Sequence, residues 1–237
     1  MDWQTKTGRV LFAIALAFFG VQHFIHAAGV AGPAPGPPWI LGTPLWGIIA
    51  GAILVAASLA IATAQMLRPA AMILAVALLA YASVLYGPAL AAHPRDPGRW
   101  TSASELVALA GAAWILGAGH PAGRFLYAAP LFVFGVLHFM HAAYLATLIP
   151  RWISAPFFWA NFVGVAFVAA GAAIATRVQA RLAAVLLGAM FLSFVVVLHA
   201  PRVLAALHDH KEWTSAFVAL AMSGGAFVLA GGVRDRA

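Results

Sequence analysis

The chain has 237 residues, of which 64% are hydrophobic and 8% charged, and its mean hydropathy is +0.97. Soluble domains carry about 25% charged residues, so this composition excludes a soluble globule and makes lipid the solvent for most of the surface. The formal charge of +7 is scattered over short connections without a dense patch, which argues against nucleic acid as a partner, and the lack of cysteine leaves only nitrogen and oxygen ligands for any metal.

Hydropathy and breakers predict an all-α polytopic membrane protein of eight transmembrane helices, each long enough to cross about 30 Å of hydrocarbon. The first runs from about Val10 to Ala31 and is followed by a Pro/Gly-rich connection, GPAPGPPWILGTP. The second spans about Leu45 to Met66 and the third Ala70 to Ala91. The polar loop HPRDPGR leads to Trp100 and a fourth helix, Thr101 to Ala118, and a turn with His120, Pro121 and Arg124 closes the first half. The second half repeats the plan. Its helices are predicted at Phe125 to Leu145, Phe157 to Thr176, Leu182 to Ala200 and Thr214 to Gly232, with the polar loop PRVLAALHDHKEW before the last.

The segment Gly20 to Ala31, GVQHFIHAAGVA, returns at Gly135 to Ala146 as GVLHFMHAAYLA, identical at eight of twelve positions. Further matches follow at an offset near 113. Pro37 and Trp39 match Pro150 and Trp152, Ala60 to Thr63 matches Ala173 to Thr176, and Trp100 to Ala103 matches Trp213 to Ala216. Tyr86-Gly87-Pro88 falls on His199-Ala200-Pro201. The reading is two tandem four-helix repeats, 1–122 and 123–237, in one integrated membrane domain. Four helices per unit is an even number, so the repeats are expected to be parallel, about an axis along the membrane normal. The first helix, with Lys6 and Arg9 before it, has the look of a signal peptide, but its recurrence in mid-chain points to a retained helix. With both termini cytoplasmic, inner segments carry eight basic residues and outer loops five. That bias favours a bacterial inner membrane protein in this orientation.

The repeat places ionisable groups in hydrocarbon. His23 and His26, and again His138 and His141, stand three residues apart, which puts each pair on one helix face. In the expected topology these pairs, His199, its counterpart Tyr86 and Glu105 all fall in the outer half of the membrane. Intramembrane ionisable residues are costly and usually face a bundle interior or a cavity. If the first and fifth helices met at the axis, four imidazoles would share one pocket. That pocket would suit a transition metal, a bis-His haem or a quinone headgroup beside apolar walls. The plainer reading is that the histidines hydrogen-bond backbone carbonyls and glue helices together. His93, His208 and His210 read as solvated loop residues, His120 as a turn residue, and Trp39, Trp100, Trp152 and Trp213 as an interfacial belt. Glu105, the one acid inside a helix, is a candidate counter-ion or proton acceptor. Abundant Gly and Ala read as close helix packing. No phosphate-binding glycine loop and no nucleophile elbow is present.

The run G-V-x-H-F-x-H, a Pro/Trp connection, a helix that begins near Ala-Arg and a late W-T-S-A-F, here GVLHFMH, PRWISAPFFW, QARLAAVLLG, LHAPRV and WTSAFVALAMSGGAFVLAG, resemble DoxX-like membrane proteins, and the likeness covers most of the chain. The resemblance implies a four-helix bundle as the single unit. It also implies a link to membrane redox chemistry, since the family is named from a subunit of a thiosulfate:quinone oxidoreductase. The carboxylate often found shortly after W-T in that family is Glu105 in the first repeat and is replaced by Val218 in the second. The expected function is a redox-associated membrane protein binding a quinone, haem or metal in its outer half, embedded in the bilayer and able to pair with a partner subunit or a second copy. The alternatives are a small-solute or metal permease, or a helical scaffold subunit of a membrane complex.

Overall fold

The computed structural model describes residues 2–27, 44–119, 121–233 and 235. The Pro/Gly connection with Pro37 and Trp39, the end of the first HxxH segment, His120, Arg234 and Arg236 lie outside them. Among the described residues the chain is helical, without strands. Its spans are α1 (Trp3–Ala27), α2 (Pro44–Thr63), α3 (Leu67–Ala92), α4 (Pro97–Ala118) and α5 (Ala122–Met140). After a short helix, α6 (Ala142–Leu148), come α7 (Pro156–Thr176), α8 (Ala180–Ala205) and α9 (His210–Gly232). The eight long helices have 19–26 residues, or about 28–39 Å at a rise of about 1.5 Å per residue. They are apolar enough to cross a membrane, so the chain is a multi-pass membrane protein in architecture.

The side chains are sorted in the sense that lipid demands. Large apolar residues such as Ile14, Leu59, Ile73, Phe162 and Leu186 face outward, while the interior is dominated by alanine, including Ala13, Ala15, Ala108, Ala110, Ala112 and Ala113. Without a hydrophobic drive between helices in lipid, small residues let backbones approach and gain dispersion contacts. The eight spans pack as a closed ring in the order α1, α2, α3, α4, α5, α7, α8, α9 and back to α1, and α4 and α9 also touch across the middle. The first helix therefore packs on the last, and α5 on α4, so the midpoint of the chain is crossed by α1–α9, α4–α5 and α4–α9 packing.

Pairs of glycines set two kinds of helix crossing, and each kind occurs twice. A Cβ on Gly8 would stand 2.5 Å from the Gly224 carbonyl oxygen, and one on Gly123 2.9 Å from that of Gly111. On the other flank, a Cβ on Gly20 would meet Gly51 O at 2.9 Å, and one on Gly135 would meet Gly164 O at 3.0 Å. These distances are below ordinary contact, so only glycine fits.

Two helices, α4 and α9, start earlier than their hydropathy suggests because polar caps extend them. Asp96 accepts from the backbone N–H groups of Gly98 and Arg99 at 2.9 and 3.2 Å, and Asp209 from that of Lys211 at 2.8 Å. These are N-caps, supplied by short side chains to orphan donors, and they begin α4 at Pro97 and α9 at His210. Within each first turn an indole closes the preceding loop. Trp100 Nε1 donates to the Pro94 carbonyl at 2.8 Å and Trp213 Nε1 to that of Leu207 at 3.0 Å.

Two departures concern the candidate site. The fifth helix, expected to continue to Leu145, ends at Met140, and His141 (φ −119°, ψ 23°) forms the joint with α6. Inside α3 and α8, Ala82–Tyr86 and Val195–His199 are π-helical turns. Each is followed after one residue by a proline, Pro88 or Pro201, which has no N–H to give and crowds the carbonyl four residues back. Widening the preceding turn relieves that clash.

Candidate functional site

All seven sequence-predicted residues lie toward one end of the bundle, the end at which α1, α3, α5 and α8 finish and α4 and α9 begin. They do not form one pocket. α1 packs on α2 and α9, and α5 packs on α4 and α7, so the helices bearing the two HxxH pairs are not packed partners. The helices that meet at the centre are α4 and α9. Among the described residues, no group of three or more His, Asp or Glu is placed to share a metal ion. The four-imidazole pocket required the first and fifth helices to meet, and they are not packed against each other.

Three of the four histidines do the same thing instead. Nδ1–H of His23 donates to the Phe19 carbonyl at 2.8 Å, that of His26 to Gln22 O at 2.7 Å, and that of His138 to Phe134 O at 2.8 Å. Each acceptor is four residues back on the same helix. A carbonyl oxygen only accepts, so the proton of each neutral ring sits on Nδ1 and the lone pair on Nε2. Among the described residues no hydrogen bond reaches any of the three Nε2 atoms. The rings are half-buried. An imidazole pinned by a backbone carbonyl with its Nε2 held open is in the form that ligates a metal or accepts a proton.

The surroundings of the two pairs differ. His138 stands on the α7 side of α5, with its ring edge-on to Phe167 (centroids 5.1 Å apart), and Phe167 in turn lies against Phe134 and Phe191 at 5.6 and 5.5 Å. His26 lies instead 5.8 Å from the ring of His210, on the first turn of α9. Beside them Gln22 Nε2 donates to Thr214 Oγ1 at 3.0 Å and to the His210 carbonyl at 3.4 Å. His210, expected in a solvated loop, stands instead at the start of α9, and Gln22 joins it there without a sequence expectation of its own. The signal was present. Gln22 is polar where the second copy has Leu137, and Asp209 precedes Trp213 by four residues as Asp96 precedes Trp100, which marks a helix start at His210.

The other candidates remain separate. Tyr86 and His199 each end a π-helical turn and are half-buried. His199 Nδ1 is buried without a hydrogen-bond partner among the described residues. π-turns recur at functional positions because they leave backbone groups loosely paired. Glu105, half-buried two turns into α4, makes no hydrogen bond or ion pair among the described residues. His141 is half-buried at the α5–α6 joint. Outside the spans, hydrogen bonds from the Arg99 backbone and side chain hold the Asp96 carboxyl below its ordinary range, and those from Thr5 do the same for Asp2.

The bonds that tie helices together come from other residues. Ser58 Oγ donates to Ala13 O at 2.8 Å, joining α2 to α1, and Ser223 Oγ donates to Gly188 O at 2.8 Å, joining α9 to α8. Tyr127 hydroxyl donates to the Met222 carbonyl, joining α5 to α9. Comparison with protein-family models, curated proteins and solved structures found no match to this chain.

Proposed function

We propose that the chain is a DoxX-like, redox-associated protein of a bacterial inner membrane, with both termini cytoplasmic, that binds a quinone-class ring at the histidine-bearing end. The observation that carries this reading is His138. Its Nδ1–H is held by Phe134 O, its Nε2 is unengaged, and an aromatic wall of Phe167, Phe134 and Phe191 stands beside it. Such a site joins one oriented polar atom to apolar walls, which is what a lipid-soluble carbonyl or hydroxyl ring requires. When bound, a quinone supplies paired electron and proton transfer. The part of this chain is to orient the ring through His138 Nε2, which accepts from a hydroxyl when neutral and donates to a carbonyl when protonated, and to keep water from that bond with the three phenylalanines. A closed metal centre fits less well, since the described residues bring no three ligands together. A haem held between one His of each pair fits less well, since α1 and α5 are not packed partners.

The same proposal takes the chain as a tandem duplication of a four-helix unit. The glycine crossings, the Asp caps, the indole clamps and the π-turns each recur at equivalent places, which supports it. The scaffold alternative draws on histidines that bridge helices, whereas these bond within their own helix.

The test is quinone binding by the purified full-length protein. A short-chain ubiquinone or menaquinone analogue is expected to quench tryptophan fluorescence saturably, and His138→Leu to abolish this while His93→Ala leaves it unchanged. Absence of saturable quenching, together with no quinone in a solvent extract of the purified protein, overturns the reading.

A further inference from the structure

We propose that His26 and His210 form a two-imidazole site for a first-row transition-metal cation, bridging the end of α1 to the start of α9. The site uses a different residue pair from the quinone reading and stands or falls independently of it. Two imidazoles that bind one ion through Nε2, at about 2.0–2.1 Å each, place their ring centroids about 5.2 Å apart at a tetrahedral angle and about 6.4 Å apart in a linear arrangement. The observed separation of 5.8 Å lies between these limits, with the rings inclined at 62°.

The pair is preorganised from both sides. The Gln22 carbonyl accepts from His26 Nδ1–H at 2.7 Å, which fixes the ring and leaves Nε2 as the ligand atom, as backbone carbonyls do behind metal-bound histidines. The Gln22 side chain donates to the His210 carbonyl and to Thr214 Oγ1, which pins the two helices at this level. Thr214 Oγ1 itself donates to the His210 carbonyl at 2.8 Å. Local charge favours a cation. Asp209 and Glu212 flank His210 closely in sequence against the single ammonium of Lys211. Neutral imidazole suits Cu, Zn and Ni, and Cu2+ leads the order of affinities for nitrogen sites. With two protein ligands the ion keeps open positions for water, which makes this an exchangeable site and not a closed structural one. The equivalent place, where the end of α5 meets the start of α4, lacks the pair, because Pro97 stands for His210, and Leu137 stands for Gln22.

The experiment is a titration of Zn2+ and Cu2+ into the metal-free full-length protein in detergent, with affinity from a competing chelator and melting temperature measured in parallel. One ion per chain is expected, with a rise in melting temperature because the ion joins two helices. His26→Ala and His210→Ala are each expected to weaken binding by at least about tenfold, the loss that even the outer partners of a ligand cause, and to remove the metal-dependent rise. His208→Ala and His93→Ala are expected to leave both unchanged. His26→Gln and His210→Gln keep polar bulk, so a variant that melts like wild type without metal separates lost ligation from lost folding. Binding equal to wild type in the His26 and His210 variants overturns the proposal. So does equal weakening by His208→Ala, which would place the ion in the loop.

Discussion

A histidine that bonds its own helix and a glutamine that bonds the next one do different work, although both are polar residues in hydrocarbon. The imidazole bonds to Phe19, Gln22 and Phe134 carbonyls orient rings without tying elements together. The Gln22–Thr214 bond ties α1 to α9. Replacing both residues by apolar isosteres, Gln22→Leu and Thr214→Val, is expected to show a coupling of about 0.6–1.7 kcal/mol in a double-mutant cycle of unfolding in detergent, the range for side-chain hydrogen bonds between membrane helices. A second residue-level expectation concerns acid. The hydrogen bonds that lower the Asp96 pKa stabilise the folded chain fully above the ordinary carboxylate value, and that contribution is lost as pH falls through the lowered folded value. Melting temperature measured from neutral pH downward should therefore drop less steeply on the acid side in Asp96→Ala than in wild type. Roles at this scale were partly legible. The histidines, Glu105 and Tyr86 stand out because ionisable or polar groups are rare in these spans. The partnership of His26 with His210 was not, because the two are far apart in sequence and nothing local links the first helix to the last.

The helices themselves were the most legible layer, since a span needs only length and apolar character. Their ends were less so. Hydropathy averages over the capping turn, and α4 and α9 start at Pro97 and His210 because Asp96 and Asp209 satisfy their first donors. The π-turns also escaped a reading based on apolar runs, although Pro88 and Pro201 mark them. At this scale the glycine crossings decide stability. Gly8→Val places atoms within 2.5–2.9 Å of the backbone of Gly224, Phe227 and Val228. It is expected to destabilise by about 1–3 kcal/mol, as overpacking does, and to lower the melting temperature. Gly87→Ala is the control, since a Cβ there meets nothing within 4 Å, and it should be neutral or mildly stabilising.

The order in which the eight helices pack was beyond reach of the sequence, because an apolar helix face carries little information about which neighbour covers it. The ring runs through α1–α9 and α4–α5, so neither half of the chain closes on itself. Fragments cut between α4 and α5, at Gly119, are thus expected to be recovered as a stable complex when co-expressed, and each to aggregate or be degraded when expressed alone. Co-purification through a tag on one fragment checks this, and a monodisperse single fragment would contradict it. The alanine interior has a mechanical consequence. Alanine has no rotamers to exchange, so strain arriving at the alanine-lined contacts of this bundle is not absorbed there by side chains flipping. Motion must be carried by whole helices tilting or sliding as rigid rods, the shear mode of packed helices. His26 and Gly8 stand near opposite ends of α1, and the close Gly8–Gly224 approach leaves no room for a side chain between α1 and α9, so a displacement at the His26 end is expected to be felt at the other end of the same helix pair.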